Sequence, residues 1–237
     1  MLPSELRFRV GTIRRRRARI AFYRRFVGSG DLAFDVGAHV GDRTALLLGA
    51  GARVIAVEPH PALQEKLTRT FGGEPRVTLV AEAVGAEPGQ AELRWPKDGL
   101  PLASLSDDWI ARVRTSGRFG GDWSERVRVR VTTLDELIDR FGVPSFCKID
   151  VEGYEEAVVR GLGSPIRTIS IEFTPEHLDS TERTLLRLGE LGDYRFDYGL
   201  GEGLELVEGR WVTREELLSR LRRCDARAFG DVYARLG

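Results

Sequence analysis

Cysteine, lysine, net charge and long apolar runs are all scarce in this chain, and each scarcity removes a class of protein. The only cysteines are Cys147 and Cys224, too few for a disulfide framework, so two reduced thiols are expected. No run of apolar residues reaches the length of a membrane span, and the basic N-terminus lacks the apolar stretch of a signal peptide. The expectation is a cytoplasmic protein. The 36 basic and 36 acidic residues cancel, so net charge draws the chain to neither nucleic acid nor a membrane surface. All the basic residues except Lys66, Lys97 and Lys148 are arginine, a bias that fits a GC-rich genome better than an arginine-specific function. There is no internal repeat.

What the chain does contain is a strand, a tight turn and a helix start within Leu32 to Thr44, LAFDVGAHVGDRT. Leu32, Ala33, Phe34 and Val36 are apolar without alternation, as in a strand buried on both faces of a parallel sheet. Asp35 interrupts them, and a carboxylate there is costly to bury unless a ligand or backbone N–H groups meet it. Gly37 and Gly41 permit a sharp turn and close approach of a ligand, and Asp42 or Thr44 is placed to cap the helix. The Gly-x-x-x-Gly spacing lacks the third glycine of the dinucleotide fingerprint, and a purely structural glycine turn stays open. Arg53 to Glu58, RVIAVE, is a second apolar strand ending in an acid, about 20 residues after the turn, where nucleotide-binding α/β folds hold ribose hydroxyls.

With 237 residues the chain is long enough for one well-buried α/β domain. Residues 1–27 form a basic helical segment, with one or two amphipathic helices expected over Ser4 to Val27. From Gly28 to the end, strand and helix patterns alternate, the signature of right-handed βαβ units and a parallel sheet. Helices are expected at Arg43 to Leu48, Ala62 to Phe71, Asp135 to Phe141, Glu152 to Arg160, Ser180 to Leu191 and Arg214 to Arg223, the last behind a Thr213/Glu216 capping box. Further strands are expected at Arg76 to Ala81, Ser145 to Ile149, Arg167 to Phe173, Tyr194 to Tyr198 and Asp231 to Leu236, with a small hairpin element at Leu204 to Val207. Residues 86–126 break the rhythm. Ala91 to Trp95 reads as an edge strand, and the irregular stretch to Glu125 reads as a lid or binding loop, with Ser104, Trp109, Phe119 and Trp123 as candidate substrate contacts. Val127 to Thr133 alternates valine with arginine like a strand at an exposed edge.

DVGAHVGDRT, VIAVEPHP, Ala83-Val84-Gly85 and KIDVEGYEEAVVRGL (Lys148 to Leu162), in that order, resemble the motif series of FkbM-type S-adenosylmethionine-dependent methyltransferases. The resemblance runs from about Gly28 to Phe173 and more loosely beyond, with KIDVEG its most specific block. It implies a Rossmann-like methyltransferase fold with a mostly parallel, doubly wound sheet, the last strand entering antiparallel between the fifth and sixth. It also implies oxygen as the methyl acceptor. Such enzymes usually carry Asn where this chain has His39.

Asp35, Glu58, Glu82, Asp150 and Glu172 all fall at or near the carboxyl ends of strands, where open parallel sheets bind ligands. A cationic ligand would relieve their mutual repulsion. S-adenosylmethionine suits that edge with its sulfonium, ammonium and ribose hydroxyls, whereas the diphosphate of NAD would be repelled. The expected cofactor contacts are Asp35, Gly37, His39, Gly41, Thr44, Glu58, Pro59, Glu82 and Ala83. Asp150 and Glu172, on adjacent strands, are expected to face the acceptor or to share a divalent ion, with His177 above them as candidate base. The expected partner is a small-molecule or glycan acceptor. Two other readings stay open, an NAD-dependent oxidoreductase and a non-catalytic nucleotide- or RNA-binding protein using the arginine-rich N-terminus.

Overall fold

Strands apolar on both faces can be covered only as a sheet between two helical layers, and that arrangement forms here. The computed structural model describes residues 4–97, 102–117, 121–201, 203, 205–225 and 227–237, with side chains from Arg14 onward. In chain order the elements are α1 (Ser4–Tyr23), β1 (Leu32–Val36), α2 (Asp42–Ala50), β2 (Arg53–Val57), α3 (Pro61–Phe71), β3 (Val77–Val80), β4 (Ala83–Val84), β5 (Gly89–Trp95) and α4 (Asp107–Ser116). They continue with β6 (Glu125–Thr132), α5 (Leu134–Phe141), β7 (Phe146–Ile149), α6 (Glu155–Arg160), β8 (Thr168–Phe173), α7 (Leu178–Leu191), β9 (Tyr194–Leu200), α8 (Arg214–Leu221) and β10 (Gly230–Leu236).

The main sheet runs β3-β2-β1-β7-β8-β10-β9, and its order reverses between β1 and β7. Its strands are parallel except β10, which lies antiparallel between β8 and β9 as the family resemblance implies. Strand periodicity splits the core in two. Phe34, Val36, Cys147 and Ile149 pack with α5, α6, α7 and α8 on one face, while Ala33, Phe146 and Tyr233 pack with α2 and the end of α1 on the other. A single helix, α1, occupies the N-terminal segment. Beyond its end, Phe26 stacks on Phe146 and Tyr233 at ring-centroid distances of 5.5 and 5.3 Å, and Arg14, Arg15, Arg16 and Arg17 stay exposed.

Several local expectations are corrected. The segment after Trp95 carries a helix, α4, opened by Ser106, whose Oγ accepts the Trp109 N–H. A second, three-stranded sheet runs β4-β6-β5, so β6 is central in it rather than at an edge. Its alternation reflects one solvated face, with Arg126, Arg128 and Arg130 outside. Neither Asp42 nor Thr44 caps α2; its cap is Gly41, in the left-handed region with φ 91°. Residues 205–207 form no strand, and Leu204 lies outside the described residues.

Candidate active site

The carboxyl ends of β1, β2, β7 and β8 open onto a cavity of about 320 Å³ at the point where strand order reverses, within the range of small-molecule sites. Val36 and Gly37 end β1 against it, and Leu93, Leu102, Ala103 and Leu105 form an apolar wall contributed by β5 and the chain after it.

Gly37, His39, Glu58, Pro59, Glu82 and Ala83 line this cavity. Glu58 is fixed by its neighbours: Oε2 accepts the His39 N–H (2.9 Å) and Oε1 the His60 N–H (2.8 Å). The Gln64 amide braces the same corner by donating to the carbonyls of Glu58 and Val80 at 2.6 and 2.8 Å. Burial pushes the Glu58 carboxyl up to about 7, against the two N–H donors that favour its ionised form. His39 has φ 50°, in the left-handed region that Asn, Asp and His enter most readily among non-glycine residues.

Asp35, Gly41 and Thr44 stand behind the cavity and do not line it. Thr44 Oγ1 donates to Asp35 Oδ2 at 2.5 Å, both residues being buried, and burial raises the Asp35 carboxyl. A Cβ at Gly41 would strike Phe71 and Leu67, so that glycine makes room for α3 rather than for a ligand. A Cβ at Gly37 would strike the Asp150 carbonyl, so the turn after β1 lies against the tip of β7.

Asp150 and Glu172 both line the cavity, at the ends of neighbouring strands. The cation that such a pair needs is partly internal. Lys148 is fully buried, and its Nζ bonds Asp150 Oδ2 at 3.1 Å and Asp231 Oδ1 at 2.8 Å. Burial opposes its charge, but Asp150 and Asp231 hold it protonated well above the usual lysine range. Burial likewise opposes the charge of Asp150, and the Lys148 ammonium overrides it and keeps that carboxyl below the ordinary range.

Glu152 joins the two acids. It does not begin a helix; it stands in a left-handed turn with φ 53°, held where Ser104 Oγ donates to its carbonyl at 2.7 Å. Glu155 Oε1 accepts the N–H groups of Val151 and Gly153 on either side, at 3.0 and 3.2 Å. One oxygen each of Asp150, Glu152 and Glu172 lies within 4.8 Å of the others, a spacing suited to a divalent ion. Burial first, then neighbouring carboxylates, pushes Glu152 and Glu172 well above the usual range.

His177 does not line this cavity. It is buried beside a second void of about 10 Å³ that Glu172 and Glu155 also line, with Ser180, Thr181 and Thr184, and its Nε2 lies 3.2 Å from Asp108 Oδ2. Burial lowers its imidazole below the usual value. Trp109 and Trp123 pack edge to face at 5.9 Å in their own apolar cluster and do not line the cavity, and Ser104 is a buried latch. Phe119 lies outside the described residues. Sequence reasoning missed Lys148, Glu152 and Tyr154, all in or against the site. A lysine inside an apolar strand was the available signal, since lysine is almost never fully buried without a partner.

The hexuronic acid methyltransferase AglP of Haloferax volcanii is 23% identical over 160 residues, which take in 67% of this chain and 61% of that protein. The chain thus matches about three fifths of the length of that relative. Among solved structures, precorrin-6Y C5,15-methyltransferase from Geobacter metallireducens GS-15 matches with a TM-score of 0.48 and 13% identity over 94% of this chain and 87% of that one. An rRNA methylase from Streptococcus thermophilus matches at 0.42 and 11%, over 92% and 94%. A SAM-dependent O-methyltransferase from Thermotoga maritima matches at 0.42 and 14%, over 92% and 64%. The model of the methyltransferase FkbM domain matches residues 35–199, from the acid in β1 to the far side of the main sheet, and the chain belongs to that methyltransferase family.

Proposed function

We propose that this protein transfers a methyl group from S-adenosylmethionine to a hydroxyl of a small-molecule, sugar or natural-product acceptor. The observation that carries the reading is one cavity with Glu58 at one end and Asp150, Glu152 and Glu172 at the other. Glu58, fixed by two backbone N–H groups, keeps lone pairs free for ribose hydroxyls, while Glu82 and Ala83 lie on the adenine side. Bound there, S-adenosylmethionine supplies a methyl group on a sulfonium. Asp150, Glu152 and Glu172 face that positive charge. Asp150, kept ionised by Lys148, orients the acceptor O–H and is the carboxylate able to take its proton, while Glu172, held toward its protonated form by burial and the neighbouring carboxylates, hydrogen-bonds Asp150. Transfer to the acceptor oxygen would leave the C–S electrons on sulfur, and Asp150 is the ionised carboxylate placed to receive the hydroxyl proton. A divalent ion on Asp150, Glu152 and Glu172 would supply Lewis acidity to the same hydroxyl.

Thermal shift tests the cofactor half. S-adenosylmethionine and S-adenosylhomocysteine should raise the melting midpoint, and NAD and an RNA oligomer should not. For the catalytic half, Asp150→Asn and Glu172→Gln should lower turnover much more than stability. Turnover insensitive to a chelator removes the metal, and full turnover in both variants removes the acceptor-site assignment.

A further inference from the structure

Resting on the methyl-transfer reading, we infer that the acceptor enters the cavity without negative charge near its reacting atom, as a neutral polyol or an amine, never as a carboxylate or phosphate. The lining carries Glu58, Glu82, Asp150, Glu152 and Glu172, and no lysine or arginine among the described residues. The nearby cations are already engaged. Lys148 is held by Asp150 and Asp231, and Arg130 and Arg140 by Glu82 at 3.4 and 2.6 Å. His39 is the one lining residue able to become positive, and burial lowers its pKa and so favours its neutral form.

An anionic acceptor would therefore find no lysine or arginine of the protein lining the cavity, and would lie against the Asp150 carboxylate, within 4.8 Å of which stand the carboxyl groups of Glu152 and Glu172. Glu152 and Glu172 make no ion pair among the described residues, Glu172 hydrogen-bonds Asp150, and both carboxyl groups can exchange hydrogen bonds with the hydroxyls of a neutral acceptor. Leu93, Leu102 and Leu105, which line the same cavity, suit the apolar face of a ring. A hexuronic acid, the acceptor named for the Haloferax relative, carries the kind of charge this cavity opposes.

The test separates this inference from the reading beneath it. A metabolite extract of the source organism is split by ion exchange into cationic, neutral and anionic fractions. Each is incubated with the protein and tritium-labelled S-adenosylmethionine, with EDTA and again with magnesium. The neutral or cationic fraction should take up label at least about tenfold better than the anionic one. Label concentrated in the anionic fraction, with or without magnesium, overturns the charge rule and leaves methyl transfer standing. Label in no fraction overturns small-molecule methyl transfer and the charge rule with it. Asp150→Asn, which removes the ionised carboxylate of the three, should raise the anionic share several-fold, and an unchanged share counts against exclusion by that charge.

Discussion

At the residue scale, Glu58 and Glu155 are carboxyl groups whose burial works against the backbone N–H groups that hold them. Burial pushes each from an ordinary 4.5 up to about 7. An acid whose pKa is raised by folding stabilises the fold while protonated, so this contribution is complete below about 4.5 and is lost as pH rises through about 7. Urea unfolding of the ligand-free protein should therefore show stability falling between about pH 4.5 and 7 and levelling above, by at most roughly 3 kcal/mol per group. Glu58→Gln should make that slope shallower. The same variant should bind S-adenosylhomocysteine more weakly, by roughly 1.5 to 3 kcal/mol in calorimetry. A flat wild-type profile, or full affinity in the variant, would contradict the role given to Glu58.

At the scale of elements, the turn after β7 and helix α4 act as one unit. Gly153 has φ 87°, and a Cβ there would run into the Trp109 side chain on α4. Ser104 holds the carbonyl of Glu152 one residue earlier. Arg112 of α4 ties the helix to Asp179 at 2.9 Å. Gly153→Ala should therefore combine backbone strain with a steric clash, lower stability by about 1 to 3 kcal/mol, shift Trp109 fluorescence and reduce turnover as Glu152 loses its place. Gly73→Ala, in open space, is the control and should change none of these. A silent Gly153→Ala would show that α4 does not hold the turn. None of this coupling was legible in the sequence, because the Gly- and Ser-rich stretch before β6 gives weak helix signals and its docking partner lies some 45 residues away.

At the scale of the whole molecule, Lys148 joins the centre of the chain to its end, reaching from β7 to Asp231 on β10 while also bonding Asp150 at the cavity. Lys148→Met would leave two carboxylates without their cation and should cost about 3 to 5 kcal/mol in denaturant unfolding, with part recovered by adding Asp231→Asn. No loss would mean that those carboxyl groups are neutral in the fold. The sequence by itself determined the alternation of strands and helices, the glycine turn, the acid ending β2 and the KIDVEG block, because strand and helix periodicity, turn chemistry and motif spacing are local properties. From these followed the α/β class and, through the resemblance, the antiparallel last strand. Tertiary structure alone decided which acids share the cavity. Asp35 and Thr44 turn inward to each other, Glu152 turns in through a left-handed residue, and His177 lies on a second, small void on the other side of Glu172. It also decided that the partner of Asp150 is a lysine two residues away along the same strand, a pairing whose second carboxylate lies 83 residues farther on. The physical reason is that a strand position sets only which face a side chain takes. What meets it there depends on neighbours brought together by the sheet order, which no local pattern encodes.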